Sequence, residues 1–373
     1  MATPPTILRK ILARKAAELG GAVSVSTGPE ATSISMSSLA DKAPEAIALM
    51  ADVTRRPALP ESELDRIRQD FLRNLSIART QPDGQAAMAF YPRLYGAHAF
   101  GRVYPTDEQL RGYTIDDVRD YHADNFGARR SHLYVPGQFD AAQVRDAISE
   151  RFADWDPGPE VMIDVPNPNA SGSLQIVDRP GAPQSTVMIG IPVMDISDPD
   201  YSEFQMTNSV LGGAGFLSRF FRNIREDKGY TYGARSFFSG DEEYGNFRFS
   251  SEVNKDATAA SITEVLGELE AYAESGMSEE EYDYMRRAIG QRDALRYETP
   301  SSKLGLLGNI LRYDLPLNYR TLQKNVLQET DRETLNALAA EWIRPDQTAI
   351  VVVGDAETIR PELEALGMPI MEL

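Results

Sequence analysis

The chain has 373 residues, an apolar content of 42% and no cysteine. This length exceeds what a single hydrophobic core usually serves, so we expect two domains. The lack of cysteine excludes disulfides and thiolate metal ligands. The formal net charge of -18 argues against a nucleic-acid-binding protein, because a polyanion would be repelled. No apolar stretch approaches the ~18 residues that a membrane-spanning helix needs.

The first predicted element is a helix near the N-terminus. Its basic residues are Arg9, Lys10, Arg14 and Lys15, and its apolar residues at helical spacing are Ile7, Leu8, Ile11 and Leu12. A basic start without acids resembles an organellar targeting peptide, but the pattern leads directly into a Gly-Gly turn and a strand. This favours an amphipathic helix of the domain itself. No secretory signal is visible, so we expect a periplasmic location only if the native start carries one, and a cytoplasmic location otherwise.

The chain then repeats one pattern at a fixed offset. Thr114 and Asp331 each open a predicted helix, which is followed by a short apolar strand, a glycine (Gly137 or Gly354), an acidic turn and another helix. Long amphipathic helices that begin after residues 59 and 277, and strands that begin near residues 31 and 246, match at a similar offset. We therefore predict an α+β fold of two homologous halves, each a mainly antiparallel sheet backed by helices.

The predicted halves are a first domain, 1–158, a Pro- and Asn-rich linker, 159–173, and a second domain, 174–373. In the second half, a strand, a turn and a helix over residues 174–212 precede a Gly-rich turn. The first half has no counterpart of this piece, because Met1 falls at the position equivalent to that turn. We expect the first domain to be incomplete at its N-terminus, either natively or because the sequence is shortened.

Residues 211–233 carry the most informative motif, LGGAGFLSRFFRNIREDKGYTYG. A Gly-rich turn leads to an apolar helix that ends in charges, and then to an aromatic run between two glycines. This motif closely resembles the second-half signature of the pitrilysin/insulinase family of zinc peptidases, the family of mitochondrial processing peptidase. The resemblance implies that Arg225, and Tyr232 seven residues later, are catalytic and hold substrate beside zinc. It also implies that Tyr230 and Gly233 bind substrate.

The family's architecture is implied in the same way. Its two halves are related by a pseudo-twofold axis and enclose a chamber, and its substrates are extended peptides that add as a strand to a sheet edge.

Arg and Tyr suit such a site, because an attacked peptide carbonyl develops negative charge and one hydrogen-bond donor aimed at that charge is worth roughly 3 kcal/mol. Taken singly, an Arg near a helix C-terminus or a Tyr in a strand is commonly structural. The spacing and the flanking glycines favour the functional interpretation. A phosphate-binding loop is disfavoured, since the glycines follow a helix and no GK[ST] is present.

The zinc half of the family's site is not recognisable in this sequence. The zinc-binding motif HxxEH is absent, and the histidines, which are His98, His122 and His132, lie at spacings that match no helical ligand pair. The family's third ligand, a Glu on a long helix, aligns with Asn74, or with Arg73 one residue earlier, and neither suits zinc. We therefore expect no metal-binding residue and no cofactor in this chain, and interpret the histidines as surface or capping residues.

These observations predict a non-zinc subunit of a two-component peptidase. It would donate Arg225 and Tyr232 to a homologous, HxxEH-bearing subunit in a heterodimer, act on peptides, and be inactive alone. Two alternatives stay open: a catalytically inert scaffold or binding subunit of the same fold, and a truncated fragment of an active zinc metallopeptidase. Arg219 and Arg222 extend a basic stripe before Arg225, which we interpret as paired with Glu226 and Asp227 rather than as an anion site.

Overall fold

The computed structural model describes residues 5–28, 30–162, 164–168, 172–213, 215–241, 244–295 and 298–371. The helices are α1 Pro5–Glu18, α2 Ala43–Arg55, α3 Leu64–Thr80, α4 Pro82–Tyr95, α5 Asp107–Gly112, α6 Ile115–Asn125, α7 Ala141–Phe152, α8 Tyr201–Asn208, α9 Thr258–Ser275, α10 Glu279–Leu295, α11 Pro300–Arg312, α12 Tyr319–Glu329, α13 Arg332–Trp342 and α14 Ala356–Glu364. The strands are β1 Val23–Thr27, β2 Thr32–Met36, β3 Ser173–Asp178, β4 Gln184–Val193, β5 Thr231–Gly240, β6 Gly245–Asn254, β7 Ala349–Gly354 and β8 Ile370–Met371. Among these described helices, none is long and apolar enough to cross a bilayer.

The chain packs as two compact units that interleave along the sequence. The first comprises residues 1–75, 105–164 and 300–308, and the second comprises 76–104, 165–299 and 309–373. Residues 76–104 therefore pack with the second unit although they precede the predicted linker. The repeat predicts domain boundaries at residues 158 and 174. These boundaries stay a prediction, because the packing units do not test where one repeat ends and the next begins.

In the first unit, β1 and β2 form an antiparallel hairpin, and α2 packs on α7 through Ala43, Ile47, Val144 and Ala147. The predicted start of α6 is confirmed, since Thr114 and Asp117 form a reciprocal capping box. The helical state of α1 is also confirmed, while the side chains of Ile7 and Leu8 lie outside the described residues.

The prediction of a short apolar strand before Gly137 is wrong, because residues 131–136 have no regular strand structure. The physical reason is the missing partner. Its counterpart in the repeat, β7, exchanges ladder hydrogen bonds with β4 on one side and β3 on the other. In the first unit, the described residues offer no equivalent of either strand, so the segment lacks the pairing that defines a strand. Apolar side chains of α3 stay open to solvent in this unit, with Phe71 55% and Ile67 41% exposed.

The second unit is built on a six-stranded sheet of order β5-β6-β4-β7-β3-β8. Neighbours from β5 to β7 are antiparallel, and β3 pairs parallel with β7 and β8. Helices α8, α9 and α13 cover one face and form the main core. On the other face, α4 packs Phe90 and Leu94 against Met188 and Val351. The predicted α+β class with mainly antiparallel sheets is confirmed, and β5, which contains the end of the motif, lies at the edge of the sheet.

Candidate functional site

The motif segment before β5 is held in π-helical turns rather than in the simple helix that the sequence predicts. These turns are Ser209–Gly213 and Phe221–Asp227. The second turn ends with the Lys228 N–H donating to the Asn223 carbonyl five residues back, at 3.0 Å. Hydrophobic spacing alone does not distinguish the two helix types. π-helical turns are rare and are frequently found at functional sites, and the second of these turns carries Arg225.

Two glycines allow the backbone of this segment to approach β5 closely and to reverse its direction. A Cβ on Gly212 would lie 2.3 Å from the Ser236 backbone nitrogen, so only glycine lets the first π-turn approach β5 so closely. Gly229 has a φ of +66°, in the left-handed region that favours glycine, and it reverses the chain between the second π-turn and β5. Together they bring the turn that carries Arg225 alongside the strand that carries Tyr232.

Arg225 is exposed but fixed by two contacts. Its Nε donates to the backbone carbonyl of Tyr232 at 3.3 Å, and its guanidinium carbon lies 4.9 Å from the ring centroid of Phe221. Phe221 is itself buried, so it provides a firm support for the guanidinium. No ion pair between Arg225 and an acidic residue occurs in the described part of the chain. The structure thus joins the two residues that the motif singles out and leaves the charge of Arg225 facing solvent.

Tyr232 lies in a β-bulge at the start of the edge strand. The register of β5 on β6 shifts between Thr231 and Ala234, and the Tyr232 side chain is 90% exposed. The Gly233 N–H donates to Thr231 Oγ1 at 3.1 Å, and Ser251 Oγ donates to the Gly233 carbonyl at 2.9 Å. Bulges commonly re-aim a side chain beside a functional site. Here two buried hydroxyls hold the bulge that turns the phenol outward.

The other two predicted site residues differ in their surroundings. Tyr230 is half-buried and its ring packs against the main core, while its N–H donates to the Ile224 carbonyl at 2.9 Å. Gly233 lies in the bulge, and a Cβ there would meet nothing within 4 Å. Tyr232 is therefore the exposed phenol of the motif, and a substrate contact by Tyr230 or Gly233 stays a prediction.

The predicted pairing of the basic stripe with its sequence neighbours is wrong for Arg219. Its guanidinium makes two bonds to Glu281 on α10, at 2.7 and 2.9 Å, and lies over the buried ring of Tyr272. Burial acts to raise the pKa of the Glu281 carboxyl, but the hydrogen bond and charge of Arg219 and the hydrogen bonds from Ser278 together outweigh burial, so this pKa is lowered. The partner lies 62 residues away, so no local pattern could reveal it. Sequence reasoning likewise missed the bulge-holding residues Thr231 and Ser251.

The described residues of this chain do not fit a catalytic zinc. They contain no group of three or more His, Asp or Glu side chains arranged to hold a metal ion. His98 Nδ1 accepts from the Phe100 N–H at 3.2 Å, and His122 Nε2 lies 2.9 Å from the Thr54 carbonyl. Asn74, aligned with the family's third ligand, is an exposed residue of α3, and the adjacent Arg73 pairs with Asp70 at 2.9 Å.

Comparison with known proteins agrees with the fold and the motif. The family model for insulinase, peptidase family M16, matches residues 8–101, and the model for the peptidase M16 inactive domain matches residues 112–289. Together they span most of the chain, which belongs to the insulinase family, peptidase family M16. The predicted resemblance is therefore confirmed.

Some of the similar proteins are described as zinc proteases, and others as a non-peptidase homolog or an inactive domain. The chain is 25% identical, over 281 residues, to an uncharacterized zinc protease of Streptomyces coelicolor, covering 73% of this chain and 60% of that protein. It is 21% identical, over 332 residues, to a non-peptidase homolog of Helicobacter pylori, covering 88% and 75%. The crystal structure of a peptidase M16 inactive domain from Pseudomonas fluorescens superposes with a TM-score of 0.83 at 24% identity, covering 92% and 82%. These comparisons define a peptidase-like protein with the M16 two-domain fold.

Proposed function

We propose that this chain is a subunit of a two-component peptidase and supplies Arg225 and Tyr232 to a homologous subunit that carries HxxEH. The observation that carries this proposal is the bond from an unneutralised guanidinium to the backbone carbonyl of Tyr232, whose phenol is 90% exposed at the edge of the sheet. The second support is that the described residues do not fit zinc. A site that has hydrogen-bond donors but no set of metal ligands requires a second protein to provide the metal.

The two side chains have distinct tasks in this proposal. Arg225 grips the backbone oxygens of an extended peptide through its fork of donors. Tyr232 donates its phenolic proton to the oxygen that becomes negative during attack on the scissile carbonyl. An extended peptide would add as a further strand along β5, the edge strand of the sheet. The partner's zinc supplies the activated water.

A catalytically inert scaffold or binding subunit is the second candidate, and the description of the Helicobacter pylori relative as a non-peptidase homolog favours it. An inert scaffold does not explain why Tyr232 is turned outward, because a ring that is 90% exposed contributes little burial free energy to the fold. The two candidates make opposite predictions about the rate of peptide cleavage when the partner is present.

The test is a complementation assay with an HxxEH-bearing homologue from the same organism. Each protein is incubated alone, and then both together, with an unstructured peptide that carries a fluorophore and a quencher. We expect cleavage only in the mixture. A partner that is equally active with and without this chain would favour the scaffold. Zinc-dependent cleavage by this chain alone would contradict the proposal.

A further inference from the structure

The segment that carries Arg225 is fixed from its other side by a row of acidic residues. Arg219, Asn223 and Lys228 all point to α9 and α10, where they meet Glu281, Glu264 and Glu268. Arg222 and Arg225, on the same stretch, are exposed instead. The stretch therefore has one anchored face and one free face, and the free face carries the candidate site.

Asn223 occupies the middle of the anchored face and makes a branched contact. Its Nδ2 donates to Glu264 Oε2 at 3.0 Å and to Glu268 Oε1 at 2.8 Å. Its Oδ1 is buried and has no hydrogen-bond partner in the described part of the chain. The orientation of the amide thus lets its N–H groups donate two hydrogen bonds, while its acceptor oxygen forms none in the described part of the chain.

The branched contact joins two carboxylates that repel each other. Glu264 and Glu268 are one helical turn apart on α9, a like-charge spacing that destabilises a helix. The Lys228 ammonium, 2.9 Å from Glu264 Oε1, and then the Asn223 amide hold the pKa of Glu264 below its ordinary value. Both contacts come from the segment that carries Arg225, so the repulsion on α9 is relieved only while that segment stays in place.

We propose that Asn223 is a positioning residue for Arg225. Asn223 lies within the same π-turn as Arg225 and as Phe221, the aromatic ring under the guanidinium. The Asn223 carbonyl also accepts the N–H of Lys228 that closes this turn. Fixing Asn223 to two acids on α9 therefore fixes the turn from which Arg225 reaches the Tyr232 carbonyl. The positioning role rests on the proposed function of Arg225, whereas the anchoring itself does not.

Asn223→Asp tests whether the Asn223 side chain anchors the turn, because Asp has nearly the same shape as Asn. At neutral pH it adds a third carboxylate against Glu264 and Glu268, with Arg219 and Lys228 as the nearby cations and Glu281 as a further acid. Crowded carboxylates raise their pKa, so the anchored form is stable at low pH and is lost as the pH rises through that raised pKa. We expect the variant to anchor the turn at about pH 5 and to release it at about pH 8.

Amide hydrogen exchange of residues 221–233 reports the anchoring without any partner protein. We expect exchange in Asn223→Asp to be about tenfold faster than wild type at about pH 8, after correction for intrinsic rates, and similar at about pH 5. Asn318→Asp is the matched control, because Asn318 is an exposed helix-capping residue without a side-chain cap bond and carries the same charge change. Unchanged exchange of residues 221–233 in Asn223→Asp, or an equal rise in the control, would overturn the proposal.

A double variant separates positioning from a general loss of structure. Asn223→Asp combined with Glu268→Gln exchanges the amide and the carboxylate, so the bond between the two positions can re-form with the donor on α9. We expect it to restore most of the slow exchange and, in the mixture with the HxxEH partner, most of the kcat that Asn223→Asp alone lowers about tenfold. Restored exchange with the same kcat in every variant would remove the positioning role of Asn223 while leaving the anchor, and the proposed function of Arg225 would then rest on the complementation assay alone. A double variant no better than the single one would contradict the anchor itself.

Discussion

Arg225 Nε lies 3.3 Å from the backbone carbonyl oxygen of Tyr232, so the two motif residues are held together within one chain before any substrate arrives. The bond uses one donor of the guanidinium and leaves the others of its fork directed to solvent. Because the bond goes to the backbone of Tyr232, the phenol is left free. Such a preorganised pair costs little reorganisation when charge develops on a bound peptide.

Removing the phenolic hydroxyl of Tyr232 tests the proposed transition-state contact. Because the side chain is 90% exposed, Tyr232→Phe leaves the melting temperature unchanged. In the mixture with the HxxEH partner, we expect kcat to fall about 10²-fold with a small change in KM. Tyr230→Phe is the control, and its half-buried ring predicts a much smaller fall in kcat. Equal rates for Tyr232→Phe and wild type would remove the catalytic role of the phenol.

The hydroxyl of Thr231 is expected to stabilise the bulge. Thr231→Val keeps the shape but removes the acceptor of the Gly233 N–H and the partner of Ser251 Oγ, 3.0 Å away. We expect the free energy of unfolding to fall by about 1–3 kcal/mol, measured by denaturant titration. Thr231→Ser retains the hydroxyl and is expected to lose much less. If the Val and Ser variants were equally stable, the bulge would not depend on this hydroxyl.

Gly212 is expected to tolerate no side chain. A Cβ there would approach the Ser236 nitrogen within 2.3 Å, so Gly212→Ala forces the π-turn away from β5 and lowers the free energy of unfolding by roughly 1–3 kcal/mol. Gly267→Ala on α9 is the contrasting change, since a Cβ there meets nothing within 4 Å, and it should raise stability by up to about 1 kcal/mol. Similar melting temperatures for the two variants would contradict the close approach.

The pair between Arg219 and Glu281 predicts an acid-dependent contribution to stability. The pKa of the Glu281 carboxyl is lowered from 4.5 in the folded chain, so its contribution is present above about pH 4.5 and is lost as the pH falls through the lower folded-state value. Glu281→Gln is expected to cost about 2 kcal/mol near pH 7, because Arg219 would lose a charged partner where it is largely buried. The difference from wild type should shrink in acid. A difference that is independent of pH would contradict this account.

Local signals in the sequence predicted much of the fold. The capping residues Thr114 and Asp331 both begin helices where expected, since a side-chain acceptor three residues before a backbone N–H is a local signal. The strand at 131–136 was predicted wrongly because a strand is defined by its partners, and the apolar run says nothing about whether they exist.

The candidate site was only partly accessible from the sequence. The spacing of Arg225 and Tyr232 pointed to both residues, but their backbone contact, the bulge and the support from Phe221 follow from tertiary packing. The partners that hold the segment come from α9, α10 and β6, between 18 and 62 residues away along the chain. No local periodicity reports contacts at such separations.

A continuous-variation assay of peptide cleavage measures whether this chain and an HxxEH-bearing homologue form one peptidase. The mole fraction of this chain is varied against the HxxEH-bearing homologue at constant total protein, and the initial rate is recorded. We predict a maximum rate near equal amounts and almost no rate at either end. With Tyr232→Phe, the maximum should keep its position and fall about 10²-fold. A rate that rises linearly with the amount of partner, whether or not this chain is present, would show that the partner cleaves peptides without Arg225 and Tyr232.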